Sequence, residues 1–399
     1  MNDRLKIEVP NQSLGGACPS FFLHTTVVLG WMGQFPSAAS QAIYMRKQVG
    51  LRFPSDKTLR TLEHRRRLTR KTEEKLAALE RKVVETFGAK SSIPLTGDAI
   101  RNLSNWEEWF RFADYSDVNL PKDFLPKTRR HIRLLARKEE NMVQGFLRAG
   151  PDLVASTVYL LQNPFARMLC AEGELPTGGI IRAAKELKGT RDFGRFYAEN
   201  PDLRHWHGHC VVSLLMSILA AANLEASHAH KTTRSVIEPM LPIAEKGKVV
   251  RPVVRLLKRW RSIKGKSVKA MSALCKGDED EEDARRKWES WETEECCPLI
   301  GSIQTVLSKI APNQRERALG EVRFQTALLL DGLYRLTEAK LPQIGMEERL
   351  RMFQTFGRHR RDQEMTSSPH LRAGFPFGIR CHGYEDIHPR SCERGFLHY

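Results

Sequence analysis

His205, His207 and His209 stand at alternate positions in HWHGHCVVSLL (205–215), just ahead of the longest apolar run of the chain. Imidazoles ligate metals and carry protons, and their spacing decides which of them can act together. On a strand all three would face one side and could converge on an ion. On a helix His205 and His209 would share a face and His207 would point elsewhere. The following CVVSLLMSILAAANLEA reads as a helix, which favours exposed histidines at a helix N-terminus over a metal site. No carboxylate partner is evident nearby in the sequence, and metal-bound histidines need convergent geometry with supporting partners. His228 and His230 close the same segment. On one helix, His228 would lie roughly 28 Å from His209, too far to share an ion. The expectation is that these histidines hold no metal and that no cofactor is bound.

A second set of possible ligands lies near the C-terminus: Cys381, His382, His388, Cys392 and His398. Soft thiolates and imidazoles within one short stretch could hold zinc, but their spacing matches no common zinc module. The bland reading is that residues 365–399 are an irregular tail that contains them.

HWH, an apolar residue between two histidines, resembles the motif with which rolling-circle replication and mobilisation nucleases hold a divalent ion beside a tyrosine nucleophile. The resemblance implies flanking strands and a downstream tyrosine. No alternating strands flank the motif here, and the downstream tyrosines are Tyr334, Tyr384 and Tyr399. No phosphate loop, nucleophile elbow or HExxH motif occurs, so no sequence motif identifies a reaction.

The strongest constellation is electrostatic. The chain carries 64 Lys and Arg against 47 Asp and Glu, a formal net charge of +17. Such a balance favours polyanions. Between Lys246 and Lys276 there are eleven basic residues and no acid. Read as a basic helix over 246–276, this stretch sets Arg251, Arg255, Lys258 and Arg259 along one side and Val254, Leu257 and Trp260 along another, with Lys248 and Lys264 flanking. That pattern suits a phosphate backbone or an anionic membrane surface. Arg129, Arg130 and Arg133 form a second basic group on the helix expected over 127–148, which has Pro126 just ahead of its first turn.

Directly after the basic stretch comes its opposite. Residues 278–295 hold ten acids and three bases. An acidic linker tethered beside a basic surface can fold back on it and compete with nucleic acid at high effective concentration. AEKGKVVRPV (244–253) also resembles, over a few residues, the basic motif through which nucleotides reach the active site of viral RNA polymerases. That resemblance implies metal-binding aspartates well downstream. The Gly277-Asp278 pair comes too soon, inside the acid run, so only a truncated or split polymerase fits.

The elements that must position these residues read as helices. Residues 55–87 form the clearest one, with Ser55 as N-cap, Gly88 as stop, and an apolar stripe of Leu76, Leu79, Val83 and Phe87. Its first half is charged on nearly all sides, which suits a helix that projects or pairs with a protein partner. A helix opening at Ser104 carries Trp106, Trp109 and Phe110 on one face, as core packing does. Helical patterns recur at 207–230, 252–275, 302–311, 315–340 and 346–361, and 21–33 reads as either a strand or a short helix. Cys210–Leu224 is too short to span a bilayer and is interrupted by Ser213, Ser217 and Asn223, so a buried helix and no transmembrane span are expected. Eight scattered cysteines and a polar N-terminus without a secretory pattern point to a reduced, intracellular setting, cytoplasmic or nuclear.

The expected fold is mostly α: two helical units, 1–172 and 204–364, joined through a turn-rich hinge near 173–203, with the tail at 365–399. The expected function is nucleic-acid binding, RNA ahead of DNA, through Arg129, Arg130, Arg133, Lys248, Arg251, Arg255, Lys258, Arg259 and Lys264. The alternatives are a metal-dependent nuclease of the HxH type, a helical scaffold and a viral polymerase fragment.

Overall fold

The computed structural model describes residues 20–23, 25–33, 39, 40, 43, 46, 55–63, 70, 71, 74, 78, 125–150, 152–170, 177–187, 193–229, 235–263, 265, 267–275, 280–294 and 297–367. Fourteen α-helices and one two-stranded antiparallel sheet are found among them. The fold is mostly α. The stretch 21–33, open between strand and helix in the sequence, is α1 (Thr25–Trp31). Of the long helix expected at 55–87, α2 (Asp56–Glu63) is described, capped as expected by Ser55, whose hydroxyl accepts the Thr58 amide at 3.2 Å, and residues 70, 71, 74 and 78 are also helical. Arg65, Arg66 and Arg67 of its charged half, its apolar stripe, the aromatic segment at 104–110 and residues 368–399 lie outside the described residues.

α3 (Pro126–Arg148) begins with proline in its first turn and buries Ile132, Leu135, Ala136, Met142, Val143 and Phe146 along one face. Its free N-terminal amides are satisfied from a distance: Lys127 and Thr128 donate to the Glu225 carboxylate at 2.9 and 2.8 Å. A helix start presents unpaired donors and partial positive charge, so a carboxylate there is favourable. Short helices follow: α4 (Leu153–Gln162), capped by Asp152, α5 (Pro164–Cys170), α6 (Thr177–Glu186) and α7 (Phe193–Glu199).

α8 (Pro201–Ala229) is the central element. It is apolar nearly all round, the signature of a helix covered on several sides. α3, α5, α6, α7 and α14 (Met346–Ser367) all pack on it. By length and composition this 29-residue helix could cross a bilayer, and most of its apolar window is buried by the other helices. The three polar interruptions noted in the sequence each find a partner in the core. Ser213 bonds His359 at 2.7 Å, Ser217 bonds His131 at 2.9 Å, and Asn223 accepts the Val236 amide at 2.8 Å. Buried hydroxyls and amides are tolerated when so paired.

The basic stretch is not one helix. A hairpin of β1 (Ile243–Glu245) and β2 (Lys248–Val250) comes first, then α9 (Pro252–Ile263) and α10 (Val268–Cys275). Glu245 faces Lys248 across the hairpin, and the two-residue turn between them has positive φ at both Lys246 (49°) and Gly247 (75°). Positive φ at both positions is the condition for the tight turn whose twist matches paired strands. Pro252 then starts α9, where a proline costs no hydrogen bond. The acidic stretch is equally not a linker. It forms α11 (Glu281–Glu292), capped by Asp280 and anchored by the buried Trp288 and Trp291. α12 (Ile300–Ile310), α13 (Gln314–Lys340) and α14 complete the described elements.

One continuous apolar cluster runs from Phe21 to Phe356. It takes in Ile180, Ala184, Phe193 and Phe196 from the turn-rich 173–203 region, so helices from both sides of that region share a core.

Candidate functional site

The histidines lie in the first turns of α8, and their surroundings differ from expectation in two ways. They are not exposed: the side chains of His205 and His209 retain 15% and 16% of their accessible surface. A carboxylate partner is also present, Glu348 in the first turn of α14, 139 residues beyond His209. Glu348 Oε1 sits 2.8 Å from His205 Nε2 and 3.5 Å from His209 Nε2. Helical geometry accounts for the pairing of the two imidazoles, whose ring centroids are 4.9 Å apart. Gly208 lets the chain bring Glu348 in. A Cβ there would lie 2.4 Å from Cδ1 of Leu341, at the start of the turn that leads into α14.

His207 points the other way. Its Nδ1 meets the Tyr197 hydroxyl at 2.7 Å and its Nε2 the Ser20 carbonyl at 2.8 Å. Burial pushes this imidazole down to about 4. Neutral, it donates from one nitrogen and accepts at the other, so it ties segment 20–23 and α7 to α8. Glu139 holds the same segment, accepting from the Phe21 amide and from the Ser20 hydroxyl. Complete burial raises that carboxyl to about 7.

Because α8 is helical through 205–209, the three histidines do not share one face, and the strand arrangement implied by the HxH resemblance is not formed. Tyr334, one of the three downstream tyrosines, is buried in the core. Tyr384 and Tyr399 lie outside the described residues, as do Cys381, His382, His388, Cys392 and His398.

The basic residues divide into engaged and exposed groups. Arg251 is tied to Glu294 at 3.0 Å and to Glu338 at 3.1 Å. Arg255 donates to the Leu241 carbonyl, bracing the segment that enters β1. Both therefore hold the fold on the side where phosphate contacts were expected. Lys258 and Arg259 are exposed on α9, and Lys246 and Lys248 are exposed at the hairpin tip. Lys264 lies outside the described residues. A cation not found in the sequence reading joins this group: Arg323 of α13. Partial burial lowers its pKa first, Glu316 raises it, and the Arg259 charge lowers it again. Arg255 is likewise lowered mainly by burial, with Glu245 raising it and Arg259 lowering it. Arg259 thus acts on two guanidinium groups, each of which also feels a carboxylate.

On α3, Arg130 and Arg133 are exposed and Arg129 is half-buried. Arg130 lines a cleft with Lys127, His131, Glu225, His228 and Gln363. α11 lies against the basic helices, through Arg261–Glu292 at 2.9 Å and Lys269–Glu281 at 3.1 Å. Comparison with protein-family models, curated proteins and solved structures finds no match to this chain.

Proposed function

We propose that this protein binds the phosphate backbone of nucleic acid through the hairpin tip and the outer side of α9. The observation that carries the reading is the exposed set Lys246, Lys248, Lys258 and Arg259 in a chain of net charge +17. Exposed cations attract a polyanion, and their contacts with phosphates release condensed counterions. RNA is kept slightly ahead of DNA as the ligand. Arg130 and Arg133 on α3 supply a second basic surface. Arg251 and Arg255 serve as braces behind the contact surface.

The reading is tested by fluorescence anisotropy with single-stranded RNA and duplex DNA across a salt series. Replacing Lys246, Lys248, Lys258 and Arg259 by Ala is expected to weaken binding to all sequences alike. It should also flatten the salt dependence by about three units, from four phosphate contacts on a single strand. Unchanged affinity and slope in the folded variant would overturn it.

A further inference from the structure

We propose that His205, His209 and Glu348 form a binding site for one borderline divalent transition-metal ion of the zinc class. Their ligand atoms, one per residue, lie within 4.8 Å of one another. Two nitrogens and a carboxylate oxygen are the donor set that such ions take, with a further position left for water. Ligand atoms about 2.0–2.2 Å from a tetrahedral ion lie roughly 3.3 Å from each other. The two separations from Glu348 Oε1, 2.8 and 3.5 Å, bracket that value. The remaining separation, between the two imidazoles, is bounded at 4.8 Å, so the rings must draw together to seat an ion.

Two further features fit this assignment. His205 Nε2 is buried and makes no hydrogen bond, even though it approaches Glu348 Oε1 at 2.8 Å. The approach lacks hydrogen-bond direction, so this nitrogen keeps its valence for another partner. Lastly, two ligands come from one turn of α8 and the third from the first turn of α14, so rigid helices hold all three, as a preorganised site requires. An ion here would fasten the start of α14 to the start of α8. The nearby Arg351 opposes a cation and limits the affinity, since two like charges repel in a partly dry site.

The assignment stands apart from the nucleic-acid reading and is tested without nucleic acid. The full chain, freed of metal with a chelator, is titrated with Co²⁺ and then Zn²⁺, following visible absorption and calorimetry. The expected result is one equivalent bound with the spectrum of nitrogen and oxygen ligands, and a denaturation midpoint raised by Zn²⁺ in the unmodified protein. His209→Ala and Glu348→Gln should each lose more than the roughly 10–100-fold in affinity that an outer-shell partner contributes. Absence of stoichiometric binding by the unmodified chain would overturn the proposal. So would binding that survives both substitutions and carries a thiolate-to-metal band, which would assign the ion to cysteines elsewhere.

Discussion

Arg251 Nε lies 3.0 Å from Glu294 Oε2, which joins the start of the basic helix α9 to the end of the acidic helix α11. Together with Arg261–Glu292 and Lys269–Glu281 this makes the acidic segment a fixed neighbour of the basic one. The opposition of charge is therefore built into folded structure rather than left to a tethered coil. Removing 278–295 altogether would also remove the buried Trp288 and Trp291, so the charge must be tested by substitution.

On the exposed side of α11, Glu281→Gln, Glu282→Gln, Asp283→Asn and Glu289→Gln together should tighten nucleic-acid binding several-fold at low salt. The gain should shrink as ionic strength rises, because exposed charges are screened over about 10 Å at 0.1 M. Anisotropy at two salt concentrations reads this directly. Equal affinity at both would mean that α11 does not compete with the ligand.

Arg251 braces Glu294 and Glu338 at once and is largely covered. Arg251→Met keeps much of the aliphatic packing but takes this cation from Glu294 and leaves Glu338 with the more distant Arg349 at 3.8 Å. A loss of about 1–3 kcal/mol in urea denaturation is expected, whereas Lys258→Met on the exposed side of the same helix should stay within about 0.5 kcal/mol.

Acid should loosen the fold early. Burial pushes His359 down to about 3 and His131 to about 4, from an ordinary value of 6.5, with Arg358 and Lys138 respectively adding to the shift. A base whose folded pKa is depressed contributes stability that is complete above pH 6.5 and drains away as pH falls towards those lower values. His359→Gln, which can still bond Ser213, should flatten the decline of denaturation midpoint between pH 6.5 and 4. An unchanged decline would place the acid sensitivity elsewhere.

Glu139 acts in the opposite sense. Its carboxyl is raised to about 7 by burial, against an ordinary 4.5. A raised folded pKa means stability that is complete below pH 4.5 and lost as pH climbs through 7. Glu139→Gln, neutral throughout, should gain on the natural protein between pH 6 and 9 as measured by thermal unfolding. If the difference between the two proteins is flat with pH, Glu139 is not protonated at the low end of that range.

Local pattern in the sequence was enough for the class of the fold and most helix positions. Ser55 as a cap, Pro126 at the start of α3, and the runs that became α12, α13 and α14 are readable because caps and apolar spacing act over a few residues. The charge opposition of α9 and α11 was also visible, since both partners are contiguous runs. The break of 246–276 into a hairpin and two helices was not. Its cue was the Lys246-Gly247 turn, and uninterrupted basic charge masked it. Nor was the partner of the histidines: helical periodicity could pair His205 with His209, but Glu348 reaches them only because α14 folds back along α8, over a glycine that leaves room for Leu341. The roles of His207 and Glu139 were hidden for the same reason. Burial and partners far along the chain set them, and those exist only once the helices have packed.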